Sequence, residues 1–376
     1  MLNRLIVFFK KEAVLCIAAT LALLSAFRVP PSGAYLDYID FRVLALLFCL
    51  MLVVAGLQDI GLFRFLGTRL LAGAGNTRQL CLILVLLCFF SSMLITNDVA
   101  LITFVPFAVM LLTMANQPGL LIPVIVLQTL AANLGSMLTP IGNPQNLYLY
   151  SAFSLSMGTF LLTMLPLTLL SLGLLLAAVL LLKNAPLTLD AGLLNCPSVT
   201  GSKLLCWLLL FGVCLGCVLR ILPWPAMLLI LCCAVLLLDR TLFAKVDYFL
   251  LLTFVCFFVF IGNIQQIPAV SSLLYSFIRG RELLFGILFS QCISNVPAAI
   301  LLSGFTDNAK ALLYGVNAGG LGTLIASLAS VISYRAYAGS PGARKGRYLK
   351  IFTLYNVIFL IVLASAAFLL LNLPID

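Results

Sequence analysis

The chain has 376 residues, 64% of them hydrophobic and 9% charged, with a mean hydropathy of +1.23 and a net charge of +10. Soluble domains are about 45–50% apolar and about 25% charged, so no soluble fold of this length could hide so much apolar surface, and the solvent is lipid. The positive charge does not point to nucleic acid, because the basic residues are spread over short loops with no aromatic-interleaved patch, and the absence of histidine excludes histidine catalysis.

In chain order, Met1 to Glu12 carries Arg4, Lys10 and Lys11 ahead of an apolar run over 13–27. This resembles a signal peptide, but no small-x-small cleavage site follows, and Arg28-Val29-Pro30-Pro31 leads into the next span, so a retained first helix is expected. A second span is predicted over 41–57. Residues 60–75 read as an interfacial helix, with an ordinary loop as the alternative. The run 80–114 is long enough for two half-helices with Thr96-Asn97-Asp98 at their tip, so a re-entrant hairpin is expected; one straight helix is the alternative. Residues 120–150 form an apolar helix broken over Asn133 to Pro144, and 158–182 another span. A linking helix over 204–219 follows, then spans over 225–238 and 248–263 and a second interfacial stretch over 264–278. A second hairpin is predicted over 283–309 around Ser294-Asn295-Val296-Pro297, then a helix over 312–334 broken at Asn317 to Ile325, and a last span over 351–371. Several runs are shorter than the roughly 20 residues that a perpendicular span needs.

The two halves carry matching blocks. Phe48-Cys49…Gln58-Asp59-Ile60 aligns with Val255-Cys256…Gln265-Gln266-Ile267, and Ser92…Ile95-Thr96-Asn97 with Ser290…Ile293-Ser294-Asn295. Asn133-x-Gly135…Thr139-x-Ile141 aligns with Asn317-x-Gly319…Thr323-x-Ile325. An odd number of spans lies between them, so the expected fold is an all-α polytopic membrane protein with an inverted-topology repeat, two re-entrant hairpins and two broken helices. The expected division is 1–182 for the first repeat, 183–224 for the linker with its connecting helix, and 225–376 for the second repeat. A cytoplasmic N-terminus puts fifteen of the 21 Lys and Arg residues inside and six outside, the favoured orientation, with the C-terminus outside. Most of the twelve cysteines lie in apolar runs and act as small hydrophobes; Cys214 and Cys217 have a C-x-x-C spacing, but on a lipid-buried helix packing explains them better than metal.

Polar, helix-breaking backbone at membrane depth survives only where it lines a protein-enclosed or wet cavity, so tips and breaks are the expected site. Half-helix N-termini attract anions and half-helix C-termini coordinate cations. The candidate substrate- and ion-binding residues are Thr96, Asn97, Asp98, Asn133, Gly135, Thr139, Gly142, Asn143, Asn146, Ser294, Asn295, Asn317, Gly319, Gly322 and Thr323. Among these, Asn97, Asp98 and Asn295 are the expected Na⁺ ligands, since hard oxygens suit an alkali cation. Gly135, Gly142, Gly319 and Gly322 are expected to give the unwound backbone positive φ. Asp98 is a carboxylate near the membrane centre, where insertion costs about 2.5–3.5 kcal/mol; it either couples a cation or proton or serves as the N-cap of a half-helix. No Arg or Lys falls in either tip or either break, which counts against an unaided polyanion site.

At these residues the sequence resembles the ion transporter superfamily of arsenite permeases, NhaD-type sodium/proton antiporters and divalent-anion/sodium symporters. Thr96-Asn97-Asp98-Val99-Ala100-Leu101-Ile102-Thr103-Phe104-Val105-Pro106 is similar to the arsenite-permease hairpin, and Ser294-Asn295 to the Ser-Asn-Thr tips of the dicarboxylate symporters, with Val296-Pro297 in place of the threonine. The resemblance, which covers nearly the whole chain, implies paired sodium sites around an anion and a mobile transport domain sliding against a dimeric scaffold, though Asp98 and Val296 depart from that pattern. The expected function is a secondary transporter of the inner or plasma membrane that moves a small inorganic or carboxylate anion with Na⁺ or H⁺ coupling by an elevator-like motion. Its expected partners are the bilayer, the anion, the coupling cation and a second copy in a homodimer, with no other cofactor and no nucleic acid. Arsenite efflux or sodium/proton antiport is the first alternative, a channel-like or structural membrane protein the second; no enzyme is expected.

Overall fold

The computed structural model describes residues 12–71, 74–186, 200–340 and 342–373; Arg4, Lys10 and Lys11 lie outside them. Every regular element described is helical. The first half runs α1 (Ala13–Ala26), α2 (Phe41–Asp59), α3 (Leu62–Leu71), α4 (Thr77–Ser91), α5 (Asn97–Met114), α6 (Pro118–Ser136), α7 (Pro144–Ala152) and α8 (Met157–Leu180). After α9 (Gly201–Val218) the same order recurs as α10 (Trp224–Leu238), α11 (Tyr248–Gln265), α12 (Pro268–Ile278), α13 (Glu282–Ile293), α14 (Asn295–Ser303), α15 (Ala309–Gly319), α16 (Leu328–Ala338) and α17 (Lys345–Asn372). Among the described residues, seven helices, α2, α5, α6, α8, α9, α11 and α17, are long and apolar enough to cross a membrane.

Polar residues start the helices where orphan N–H groups need partners. The side chains of Asp40, Asn76, Ser156, Asp247 and Asn308 each accept from the backbone N–H three residues on. The two interfacial stretches are helices, α3 and α12, rather than loops. Both expected hairpins are interrupted: residues 92–96 separate α4 from α5, and Ser294 alone separates α13 from α14, so neither is a straight helix. Ser294 achieves this with φ 75° and ψ 155°, a conformation that is strained for a residue with a Cβ. Both broken helices are also interrupted, over 137–143 and 320–327.

Packing follows the same two-fold pattern. The inner hairpin arms α4 and α13 lie against the first broken-helix halves α6 and α15, while the outer arms α5 and α14 lie against α16 and α7 of the other half. Around this core, α1 packs on α11 and α2 on α10, and α9 covers α2. Small residues allow the close approaches. A Cβ on Gly135 would sit 2.0 Å from the Phe89 carbonyl oxygen, one on Gly319 2.7 Å from Ser290 Oγ, and one on Gly286 2.9 Å from the Gly315 backbone. Helix α6 is 83% buried within its most apolar stretch and α17 only 22%, so α6 is central and α17 peripheral.

Candidate functional site

The tips and breaks meet through backbone bonds that repeat between the halves. Asn97 N–H donates to the Gly142 carbonyl at 3.0 Å, and Asn295 N–H to the Ala326 carbonyl at 3.0 Å. Thr139 Oγ1 donates to the Met93 carbonyl and Thr323 Oγ1 to that of Gln291, again at matching positions. Each tip is therefore held by the unwound segment of its own half.

Side chains then join the halves. Asn133 Oδ1, in the last turn of α6, accepts from Asn97 Nδ2 at 3.0 Å and from Ser327 Oγ at 3.0 Å. The counterpart bond runs from Asn143 Nδ2 to Asn317 Oδ1 at 3.4 Å, since Asn143 and Ser327 occupy matching places after their breaks. Asn317 Nδ2 donates to Asn146 Oδ1 at 2.7 Å. Asn143 also caps α7 by accepting from Asn146 N–H, and donates to Ser136 Oγ. The Asn295 amide lies beside Gly320, 2.8 Å from where a Cβ there would be. One chain of contacts thus links the two tips: Asn97 to Asn133, Asn133 to Ser327, and the neighbouring Ala326 carbonyl to Ser294 Oγ and Asn295 N–H.

The carbonyls freed at each break receive an amide NH₂ group. In the first break, Asn146 Nδ2 lies 3.1 Å from the Met137 carbonyl oxygen, 3.4 Å from that of Thr139 and 3.5 Å from that of Ser136. In the second, Gln291 Nε2 donates to the Gly319 and Leu321 carbonyls, both at 2.8 Å, while Gln291 Oε1 accepts from Thr323 N–H.

Three polar atoms around the first tip are buried and have no partner: Asn97 Oδ1, Asn133 Nδ2 and Asp98 Oδ1. Two are acceptors on consecutive residues at the N-terminus of α5, and the third is a donor one side chain away. Buried polar groups are nearly always satisfied, so the Asn97–Asn133 pair has a spare acceptor and a spare donor side by side, and Asp98 has a spare acceptor on the adjoining face of α5.

Several expected roles change. Asp98 is not an N-cap: Thr96 holds that position without a side-chain bond, and Asp98 lies inside the first turn of α5. Gly135, Gly142 and Gly319 do not adopt positive φ; Gly322 alone of the four does, at 102°. Gly135 and Gly319 permit close helix packing, and Gly142 lies so near its own chain that a Cβ would be 2.2 Å from the Ser136 carbonyl oxygen. Thr323 is exposed and points its groups at Gln291, and the Thr139 hydroxyl is engaged with Met93, so neither side chain joins the Asn cluster, which Thr139 meets only through its carbonyl. Ser136, Gln291 and Ser327 are bonded neighbours of the candidate residues that the sequence reading misses. Extending the Thr139/Thr323 block by two places reaches Asn143 and Ser327, and stepping one place past Ser92/Ser290 reaches Met93 and Gln291.

A family model described as "Citrate transporter" matches residues 5–311. The chain is 32% identical over 333 residues to an uncharacterised transporter of Methanocaldococcus jannaschii, covering 88% of this chain and 90% of that one. It is 33% identical over 309 residues to an inner membrane protein of Escherichia coli, covering 79% and 80%. A silicon efflux transporter of Oryza sativa subsp. japonica is 38% identical over 137 residues, covering 36% of this chain and 27% of that protein. With its apolar helices and its paired tips and breaks, this multi-pass integral membrane protein is a membrane transporter, and the chain belongs to the citrate transporter family.

Proposed function

We propose that the protein is an ion-coupled secondary transporter of a small inorganic or carboxylate anion, with the halves as inverted repeats and the N-terminus cytoplasmic. The observation that carries this reading is the pair of buried, unpartnered atoms Asn97 Oδ1 and Asn133 Nδ2 where the first tip meets both breaks, with a further unpartnered oxygen, Asp98 Oδ1, on the next residue of α5. The two oxygens suit Na⁺ or a proton, and the amide donor and half-helix N-termini suit the anion. Hairpins and broken helices would move as one body against α1, α2, α9, α10 and α11 in an elevator-like motion, within a homodimer. Polar ties between these groups include the exposed bonds from Gln58 Nε2 to Thr103 Oγ1 and from Gln265 Nε2 to the Gly304 carbonyl, and the less exposed bonds from Ser151 Oγ to Asp40 Oδ2 and from Tyr150 Oη to the Val218 carbonyl.

Asp98 favours a second reading, in which the carboxylate exchanges Na⁺ or protons while an oxyacid leaves the cell. The relative named as a silicon efflux transporter is consistent with export of an oxyacid. Purified protein in proteoliposomes tests both: radiolabelled citrate uptake driven by an inward Na⁺ or proton gradient supports the first, and Na⁺/H⁺ exchange or arsenite or silicate export without citrate uptake supports the second. Non-saturating flux independent of any ion gradient would refute both and leave a channel.

A further inference from the structure

Helix α17 has 28 residues and extends about 42 Å, well beyond the roughly 30 Å hydrocarbon core of a bilayer. Its apolar part begins at Ile351, and residues 351–372 alone cover about 33 Å, so Arg344 to Lys350 stand at headgroup depth. Arg335 in the last turn of α16, and Arg344, Lys345, Arg347 and Lys350, are all exposed, and among the described residues none of these side chains has a hydrogen bond, ion pair or ring contact. No Asp or Glu occurs between Asp98 and Asp190 or between Asp307 and Asp376, so α16, α17 and the neighbours α6, α8 and α15 of α17 carry no carboxylate. The other helix against α17, α13, has Glu282, whose Oε1 accepts from Thr306 Oγ1 and Gly280 N–H.

Topology alone calls for basic residues on this side of the membrane, but not for the absence of counter-charge. Elsewhere on the same side the bases are neutralised: Lys245 pairs with Asp59, and Lys203 lines one pocket with Asp59 and Asp239. The cations of α17 also continue into an apolar stripe. Arg347, Lys350, Leu354, Ile358 and Ile361 follow one another at steps of three and four residues, which places them on one face of the helix. Leu354 is 57% exposed, Ile358 50% and Ile361 60%, while Phe352, Phe359 and Leu363 are buried, so this face is turned to lipid. A phospholipid with a negative headgroup has the same order of groups: an anion at headgroup depth and an acyl chain below it.

We propose that the end of α16 and the start of α17 form a binding site for an anionic phospholipid, with its phosphate among Arg335, Arg344, Arg347 and Lys350 and an acyl chain along Leu354, Ile358 and Ile361. Each Lys or Arg near the bilayer surface strengthens attraction to anionic lipid by about fivefold, and nothing within this part of the protein offsets that attraction. The lipid belongs to the cytoplasmic leaflet in the orientation proposed above. Only the name of the leaflet rests on that reading, because the site is tested by binding and not by flux.

The experiment is native mass spectrometry of the full chain in detergent, titrated with phosphatidylglycerol and with phosphatidylcholine of the same acyl chains. Phosphatidylglycerol is expected to bind at least about tenfold more tightly. Arg347→Gln combined with Lys350→Gln should weaken it by about fivefold per charge removed and leave phosphatidylcholine within about twofold. Both positions are exposed, so the fold is retained. Lys203→Gln combined with Lys245→Gln makes the same change of charge beside Asp59 and Asp239, and should leave phosphatidylglycerol binding within about twofold. Glycerol phosphate, which has the anion without the chain, should not displace the lipid. Equal binding of the two lipids, or an equal loss in the two double variants, would overturn the proposal, and displacement by glycerol phosphate would overturn it in favour of a free phosphate ester.

Discussion

Removing the bond between Asn133 and Ser327 isolates what ties the two halves together. Asn133 Oδ1 accepts two bonds, from Asn97 Nδ2 and from Ser327 Oγ, both at 3.0 Å. Interhelical hydrogen bonds in membrane proteins contribute about 0.6 kcal/mol on average and about 1.7 at most by double-mutant cycles. Ser327→Ala is therefore expected to cost about 0.6 kcal/mol, and Asn133→Ala, which removes both bonds, about 1.2–3.4 kcal/mol before any cavity term. In the double-mutant cycle the coupling between Asn133 and Ser327 should be about 0.6 kcal/mol. The Asn143–Asn317 pair, at 3.4 Å, should couple more weakly, and Asn133 with the exposed Ser156 at the start of α8 not at all. The assay is reversible unfolding in mixed micelles with helical circular dichroism as the signal. A coupling energy for Asn133 with Ser327 no larger than that for Asn133 with Ser156 would refute the assignment of this bond as a tie between the halves.

Gly135→Ala should destabilise by about 1–3 kcal/mol or more, because its Cβ would meet the Phe89 carbonyl at 2.0 Å, whereas Gly173→Ala on α8, with nothing within 4 Å, should gain about 0.5–1 kcal/mol of helix propensity; thermal melts of the pair that fail to diverge would refute the packing role. Ser294→Gly should melt above Ser294→Ala, since both lose the hydroxyl bond to Ala326 but glycine alone releases about 1–3 kcal/mol of backbone strain; the reverse order would show that the tip is not strained. Asp98→Asn should leave the fold at least as stable, because losing a carboxylate that costs about 2.5–3.5 kcal/mol to insert outweighs about 0.3–1 kcal/mol of first-turn dipole interaction. The same variant should lose the Na⁺ or pH dependence of its initial transport rate, and an unchanged dependence on both would remove Asp98 from coupling.

The interruptions are legible in the sequence because glycine, asparagine and proline clustered at membrane depth free backbone groups that lipid cannot satisfy, so such a cluster persists only where protein encloses it. Asn97, Asn133, Asn143, Asn146 and Asn317 stand out on that ground, and hydrogen bonds join Asn97 to Asn133 and Asn143 and Asn146 to Asn317, with Ser136 linking the two groups. Their roles are less legible. A glycine that lets two helices touch and a glycine that turns left-handed look alike in sequence, so Gly135 and Gly319 read as the second kind and are the first. A helix start is uncertain by a residue or two, which is enough to make Asp98, an interior first-turn residue, read as a cap. Ser327 does not stand out, because a lone serine beside an apolar run is ordinary until its partner across the repeat is known.

The amide groups at the breaks explain why the halves differ where their sequences diverge. Each break frees carbonyls that lipid cannot satisfy, so each half needs a donor there. In the first half Asn146 on α7 supplies it, and the matching hairpin position is an apolar Met93. In the second half the hairpin supplies it through Gln291, and the position matching Asn146 is Ser330, too short to reach those carbonyls. The same requirement is thus met from opposite sides of the break. It has two consequences in the second half: the hairpin gains side-chain bonds to its loop beyond the tip and threonine bonds that both halves share, and the Ser330 hydroxyl is left buried without a partner. The two breaks therefore meet one physical demand with different residues, and Ser330 is where that difference leaves a buried hydroxyl unsatisfied.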